Sequence, residues 1–122
     1  MAKHNDLGNI GEQLARTFLE AKGYQILETN WRYRKAEIDL IAKDSETLLF
    51  IEVKTRSTDL FGQPTESISP RKKRLLCDAA SAYMEQIGHD WAIRFDVISI
   101  IYRDAQHYTL EHFEDAFFPG LE

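Results

Sequence analysis

Two carboxylates and one ammonium group lie inside strongly apolar stretches of this sequence. Asp39 falls within residues 36–42, and Glu52 and Lys54 fall within residues 48–54. An isolated charge in a protein core is costly, and such charges persist when they are paired or bound to a metal ion. Two carboxylates can hold a hard cation through their oxygens, and a lysine beside them can neutralise charge or help to activate a water. The pattern therefore indicates a chemical site.

The spacing of these residues fits two adjacent β-strands. The polar residues 43–47 between the two apolar runs are typical of a hairpin connection, which we expect to bring Asp39 alongside Glu52. Because side chains alternate along a strand, Glu52 and Lys54 share one face, about 7 Å apart. The alternative is a strand whose charged end emerges into solvent, the common position for single Glu and Lys residues. We expect the other face to pack against a helix through its apolar residues, Leu49, Ile51 and Val53.

Length and composition are those of a small globular protein. The chain has 122 residues, of which 43% are hydrophobic and 29% charged, which fits one compact domain over residues 1–122. It has no apolar stretch of membrane-spanning length and no signal-peptide core at its start, so cytoplasm is the expected compartment. A single cysteine, Cys77, excludes an internal disulfide framework and a cysteine-rich zinc site. The histidines are scattered and expected at the surface: His4, His89, His107 and His112.

The charge distribution weakens the objection that an acidic protein does not bind nucleic acid. The net charge is -5, but residues 104–122 hold five acidic residues and no Lys or Arg, which leaves 15 acidic against 15 basic residues before them. The bases cluster in residues 32–35, 54–56 and 71–74. Such local basic patches can bind phosphates despite an acidic total. The alternative for any one cluster is a solvated surface.

The first helix is predicted over residues 9–22, where apolar residues recur at helical spacing and Gly23 provides a C-terminal cap. Glu12 lies at the margin of the apolar stripe. A carboxylate there points near the edge of the core, where it can complete a metal site or remain a solvated flanking residue.

The remaining segments predict strands on either side of a second helix. A strand over residues 24–31 precedes the two strands described above, and the polar residues 57–69 are a candidate lid or substrate-contacting loop. Ser69 and Pro70 are typical of a helix start, and that helix ends before Gly88. A strong strand over residues 91–102 follows, then a weak edge strand over 107–113 and an irregular tail.

The order of these elements is helix, three strands, helix, strand. Short links between the first three strands favour antiparallel pairing, and the long helical crossover favours a parallel return. The fold class is therefore α/β, with a mixed sheet flanked by helices. Lys72 lies one turn before Leu76 on the apolar side of the second helix, so we expect its side chain to reach inward without a buried partner.

The arrangement resembles the PD-(D/E)xK nuclease superfamily, and more closely the YraN family of largely uncharacterised bacterial proteins. Archaeal Holliday-junction resolvases are similar at a greater distance. The resemblance covers about residues 8–102, and Ala36 stands where the YraN family usually has glycine. The residues that carry the resemblance are Gly11, Glu12, Ala15, Asn30, Glu37, Ile38, Asp39, Leu40, Ile41, residues 50–54, Arg56, Phe61, Gly62, Lys72, Arg94, Phe95 and Asp96.

The resemblance implies a restriction-endonuclease-like αβββαβ core carrying a metal-dependent phosphodiesterase site. In that site Asp39 and Glu52 would bind Mg²⁺ or Mn²⁺, with the Val53 carbonyl as a third ligand. Glu12 would support the site directly or through water, and Lys54 would orient or activate the attacking water. Candidate phosphate contacts are Arg56, Arg71 and Lys72.

The resemblance also implies an endonuclease that acts on nucleic acid, with DNA favoured and branched or junction DNA as one candidate substrate. A homodimer is plausible by the same resemblance, because junction-cutting relatives pair two active sites. The alternative is a non-catalytic nucleic-acid-binding or assembly module on the same fold, because a shared fold does not establish a shared activity.

Overall fold

A computed structural model describes residues 3–57 and 68–117, and the side chains from Leu7 onward within them. Most of the predicted loop 57–69, including Phe61 and Gly62, and the last five residues of the predicted tail lie outside the described residues. The elements are α1 (Lys3–Ala21), β1 (Gln25–Tyr33), β2 (Ala36–Asp44), β3 (Thr47–Arg56), α2 (Pro70–Ile87), β4 (Ile93–Asp104) and β5 (His107–Phe113).

The five strands form one mixed sheet in the order β1-β2-β3-β4-β5. Neighbouring strands are antiparallel except β3 and β4, which are parallel because α2 carries the chain back across the sheet. The predicted α/β class with a restriction-endonuclease-like mixed sheet is confirmed. Neither helix among the described residues is long and apolar enough to cross a membrane.

Local sequence signals place the ends of the helices. The Ser69 hydroxyl accepts a hydrogen bond from the Lys72 amide at 3.1 Å, which caps α2 where the sequence predicts. Gly23 and Gly88 follow the two helices with φ values of +92° and +71°, which glycine adopts without the steric cost of a side chain. The start of α1 differs from the prediction, because Lys3–Ala21 begins six residues earlier in a stretch without apolar periodicity.

The sheet is covered on both faces, and β3 alternates between them. Leu49 and Ile51 are fully buried in the α1 layer with Ala15 and Leu19, and Val53 packs at its edge, as the sequence predicts. On the opposite face Phe50 and Leu48 pack against the apolar stripe of α2, formed by Leu76, Ala79, Ala80 and Tyr83. Because successive residues of β3 face opposite layers, Glu52 and Lys54 follow Phe50 on the α2 side.

A buried polar network joins β4 to β5. Asp96 is fully buried and accepts two hydrogen bonds from the Arg94 guanidinium (2.8 and 2.9 Å), one from His112 Nε2 (2.7 Å) and one from the Asp115 amide (3.0 Å). These contacts support β5, and the edge strand that the sequence predicts over residues 107–113 is confirmed.

The prediction that the histidines lie at the surface is wrong for His112 and His89. The His112 side chain is only 4% exposed, and the Lys22 ammonium lies 3.0 Å from Nδ1. Because an ammonium can only donate, Nδ1 accepts and Nε2 carries the proton that is donated to Asp96. His89 is buried against the Ala92 carbonyl. The hydrogen-bond partner of His112 lies on another strand, and that of His89 lies in a tight turn. The positions of the histidines in the sequence do not indicate either contact.

Close packing of α1 against β3 depends on Gly11. A Cβ built on Gly11 would lie 1.7 Å from Thr55 Oγ1 and 2.8 Å from Thr55 Cβ, so no larger residue fits without movement of the helix or the strand. Thr55 directly follows Lys54, and Gly11 directly precedes Glu12. The contact therefore sets the distance between α1 and the C-terminal end of β3.

We predict that Gly11→Ala destabilises the protein by about 1–3 kcal/mol, the usual cost of overpacking a close contact. Gly8→Ala is the matched control in the same helix, because a Cβ there meets nothing within 4 Å. It should stabilise by about 0.5–1 kcal/mol through helix propensity. Urea unfolding of both variants measures the difference, and equal stabilities would contradict the proposed contact.

Candidate functional site

The candidate site lies where β2 and β3 separate. Their described pairing ends at Leu40 and Ile51, whereas β3 continues to pair with β4 as far as Arg56 and Ile101. Beyond that point the Val53 amide donates to Asp39 Oδ2 at 2.8 Å, where an unbroken ladder would offer a backbone carbonyl. The side chain of Asp39 therefore lies beside residues 52 and 53 of the neighbouring strand.

Glu52 occupies the interior side of this opening. Its side chain is 5% exposed, and its Oε2 accepts from Lys72 Nζ at 2.7 Å. Lys72 therefore reaches inward from the first turn of α2, as the sequence indicates. The expectation that it has no buried partner is wrong, because its ammonium neutralises a carboxylate that is almost closed to solvent. The Lys72 side chain itself is 41% exposed, so it joins the interior of the site to its rim.

The crowding of carboxylates changes the protonation of Asp39. Burial raises the pKa of Asp39, and the charges of Glu52 and Glu12 raise it further. The hydrogen bond from the Val53 amide and the charge of Lys72 lower it. The net effect is a pKa of about 7. Without a bound cation, ionisation of both carboxylates is therefore unfavourable near neutral pH. The pair favours a cation at this place.

The pKa values of the two lysines, Lys54 and Lys72, shift in opposite directions. Burial lowers the pKa of Lys54, and the neighbouring Lys72 ammonium lowers it further, only partly offset by Glu52 and Asp39. Burial also acts to lower the pKa of Lys72, but its hydrogen bond and charge interaction with Glu52 outweigh that effect and raise it. Lys54 is therefore the ammonium that releases its proton more readily, and Lys72 is the one that keeps it.

Glu12 approaches the site from α1. It is half-buried, its Oε1 accepts from Asn30 Nδ2 at 3.0 Å, and its charge contributes to the raised pKa of Asp39. Glu12 is therefore near enough to Asp39 to interact with it electrostatically. Across residues 3–57 and 68–117, however, no three Asp, Glu, His or Cys side chains are close enough together to hold one metal ion. The carboxylates that lie closest together in this arrangement are Asp39 and Glu52.

The candidate phosphate contacts lie around the same opening. Arg56 ends β3 two residues after Lys54, and Arg71 is exposed beside Lys72 in the first turn of α2. Arg71 and Lys72 line a pocket of about 220 Å³ together with Lys35 from the β1–β2 turn. Basic residues from two separate sequence clusters thus line one pocket, to which Glu37 adds a negative charge. A larger groove of about 700 Å³, on the outer face of α2, contains none of these residues.

Sequence reasoning missed three contributions to the site. It assigned no role to Asn30, whose amide holds Glu12, or to Thr55, which contacts Gly11. It also did not pair Lys72 with Glu52. The glycine next to Glu12 was a usable signal for close packing, but the other two contacts join residues far apart in sequence and need the fold to bring them together.

Comparison with known proteins identifies relatives along almost the whole chain. The profile of the uncharacterised protein family UPF0102 matches residues 11–100. A UPF0102 protein of Flavobacterium psychrophilum is 49% identical over 118 residues, covering 97% of this chain and 98% of that protein. A UPF0102 protein of Christiangramia forsetii is 48% identical over 118 residues with the same coverage. A third, from Bacteroides thetaiotaomicron, is 40% identical over 121 residues and covers 99% of both chains.

The raised pKa of Asp39 predicts that the stability of the metal-free protein falls as the pH rises from about 4 to about 7. The carboxyl titrates near 3.8 in the unfolded chain and near 7 in the folded one, so the folded chain holds a proton that the unfolded chain has lost. The stabilisation is complete below the lower value and is lost as the pH rises through the upper one. Asp39→Asn, which keeps an acceptor for the Val53 amide, should not show this decline.

Urea unfolding across that pH range, with a metal chelator present, measures the difference between the two proteins. Asp78→Asn is the control, because Asp78 is an exposed carboxylate on α2. It should leave the shape of the wild-type curve unchanged. If wild type and Asp39→Asn lose stability in parallel, the carboxylate pair is not the source of the pH dependence.

Proposed function

The chain belongs to the uncharacterised protein family UPF0102, and we propose that it is a divalent-cation-dependent nuclease that cleaves phosphodiester bonds in nucleic acid. The proposal depends mainly on one observation. Asp39 and Glu52 lie together where β2 and β3 separate, and the Lys72 ammonium forms an ion pair with Glu52. The position of Lys54 two residues after Glu52 adds the group that a hydrolytic site needs beside its carboxylates.

The donor set fits Mg²⁺ or Mn²⁺. It consists of two carboxylates and a backbone carbonyl, the oxygen ligands that hard cations prefer. The Lys72 ammonium lies 2.7 Å from Glu52 Oε2, which shows that positive charge is favourable at this position. Asp39, Glu52 and the Val53 carbonyl would hold the ion, with Glu12 supporting it through water. A bound divalent ion would polarise a phosphoryl oxygen and lower the pKa of a bound water to supply hydroxide.

Lys54 is the residue best suited to act on the attacking water. Burial and the nearby Lys72 lower its pKa, so its Nζ can exchange a proton more easily than an exposed lysine can. Its place on the same face as Glu52 directs it toward the same opening. Lys54 therefore orients the water or stabilises developing charge in this proposal.

Lys72 connects the carboxylates to the substrate. A cation that neutralises Glu52 removes the charge that holds the Lys72 ammonium, and Lys72 can then contact a phosphate at the rim, where 41% of its side chain is already exposed. Arg71 shares the adjoining pocket, and Arg56 extends the positive surface along β3. These residues supply the sequence-independent phosphate contacts that nucleic-acid binding requires.

The acidic net charge does not oppose DNA as the partner. Glu114, in the acidic C-terminal segment, lies 3.5 Å from Lys22 Nζ and 3.7 Å from Arg94 Nη1, so part of that negative charge is neutralised within the protein. The basic residues of the proposed phosphate-binding surface lie in other elements, in the β1–β2 turn, at the end of β3 and at the start of α2. A phosphate backbone would therefore meet a locally positive surface.

A non-catalytic nucleic-acid-binding module is the second candidate. The ion pair between Lys72 and Glu52 favours it, because that pair satisfies Glu52 without any metal. Both candidates bind nucleic acid through the same rim, so binding alone does not separate them. Cation binding and cleavage do.

We predict that Asp39→Asn abolishes Mn²⁺ binding, whereas Lys54→Ala keeps Mn²⁺ and lowers the cleavage rate by about 10²–10³-fold, the usual effect of removing one group that stabilises the transition state. Calorimetry with Mn²⁺ and a panel of linear and branched DNA and RNA with Mg²⁺ or Mn²⁺ measure the two properties. Asp78→Asn, on the exposed side of α2, should match wild type in both. A wild-type protein that binds DNA but neither binds Mn²⁺ nor cuts any substrate would favour the non-catalytic module.

We predict three separate effects of Lys72→Ala. Nucleic-acid affinity should fall for all sequences, and the salt slope should fall by about one unit because one phosphate contact is lost. Mn²⁺ affinity should not fall, because the competing ammonium on Glu52 is gone. Without metal the free energy of unfolding should fall by about 1–3 kcal/mol, because Glu52 loses its partner.

Arg103→Ala is the matched control for Lys72→Ala, since Arg103 is an exposed cation near the β4–β5 turn. Fluorescence anisotropy across a salt series, calorimetry and urea unfolding provide the three readouts. An unchanged salt slope for Lys72→Ala would remove Lys72 from the substrate path.

A further inference from the structure

Asn30 adopts a backbone conformation that is unusual within a strand. It lies inside β1 with φ of +51°, in the left-handed region that side-chain-bearing residues seldom occupy. Asparagine is among the few such residues that tolerate it. Residues held in sparsely populated backbone regions concentrate at functional sites, where the surrounding structure over-determines them.

The strained residue is next to the candidate site. In the pairing of β1 with β2, Thr29 faces Leu40 and Trp31 faces Ile38, so Asn30 falls opposite Asp39 in the same register. On the other side of β2, the Asp39 carboxylate accepts from Val53 on β3. The irregular position in β1 and the opening between β2 and β3 therefore occur at the same level of the sheet.

The side chain of Asn30 reaches from the sheet to α1. Its Nδ2 donates to Glu12 Oε1 at 3.0 Å across 18 residues of sequence. This bond fixes one oxygen of the third carboxylate and so restricts its rotation. The bond is exposed to solvent, so its contribution to folding should be small, and the close contact of Gly11 with Thr55 already holds α1 against β3.

Residue 30 must adopt the left-handed backbone conformation and donate a hydrogen bond to Glu12, and asparagine can do both. Glycine would accept the left-handed backbone but would offer no donor to Glu12. An ionised aspartate would tolerate the backbone nearly as well but has only acceptors, which would repel the Glu12 carboxylate. Asparagine combines a short side chain, tolerance of positive φ and an N–H donor.

We propose that Asn30 is a positioning residue that holds Glu12 over the Asp39–Glu52 pair, so that Glu12 can support the bound cation through water. This inference rests on the proposed cation-dependent function. Asn30 acts only through Glu12, and its removal should matter only while Glu12 is present.

A double-mutant cycle tests this dependence. Asn30→Gly keeps the backbone conformation and removes the amide, and Glu12→Ala removes its partner. Calorimetry with Mn²⁺ alone should show affinity lowered about 10-fold by Asn30→Gly, within the range for partners that orient metal-binding groups. The same substitution in the Glu12→Ala background should cause no further loss. Thr29→Gly, at the neighbouring exposed position of β1, is the control for a glycine in this strand and should bind Mn²⁺ as wild type does.

The outcomes separate the inference from the proposed function. Thermal unfolding without metal should show that Asn30→Gly is about as stable as wild type, as expected if the amide serves the site and not the fold. Thr29→Gly should be less stable than both, because glycine weakens a regular strand position. Equal Mn²⁺ affinity of Asn30→Gly and wild type, or an equal loss in the Glu12→Ala background, would overturn the role of Asn30 while the cation site stands. Failure of wild type to bind Mn²⁺ would overturn both.

Discussion

The repulsion between Asp39 and Glu52 is the constraint on which the rest of the site depends. The two carboxylates share a poorly solvated space between separating strands, where a second negative charge is costly. Each neighbouring group offsets part of this cost: the Val53 amide binds Asp39, and the Lys72 ammonium binds Glu52. A site that needs this much compensation in the free protein is suited to a cation, and in our account the lysines balance the pair when no cation is bound.

This constraint arises because the two edges of β3 are paired over different lengths. One edge stays paired with the parallel strand β4 as far as Arg56, and the other loses its antiparallel partner after Ile51. Residues 52–54 are therefore held rigidly from one side and open on the other. The capped start of α2 brings Lys72 to this opening, and the close approach of α1 at Gly11 brings Glu12. The proposed catalytic role would require rigid supporting elements of this kind.

Features that depend on local sequence could be predicted, and those that depend on distant partners could not. Ser69 and Gly88 define α2 because capping is local, and the polar residues 43–47 between two apolar runs predict the β2–β3 hairpin. Helical periodicity alone predicts that Lys72 points inward, but its bond to Glu52 forms only once α2 crosses the sheet. His112 was misplaced for the same reason, since its partner Asp96 lies on another strand. The carboxylates themselves were recognisable because charge inside an apolar run is conspicuous in any context.

The most direct test of the account is anomalous diffraction at the manganese edge from crystals soaked in Mn²⁺ above pH 7, where Asp39 is mostly ionised. We predict one anomalous peak between the carboxylates of Asp39 and Glu52, with the Lys72 ammonium displaced from Glu52. Absence of a peak there, with Lys72 still bound to Glu52 at saturating Mn²⁺, would contradict the central claim that this carboxylate pair is a cation site.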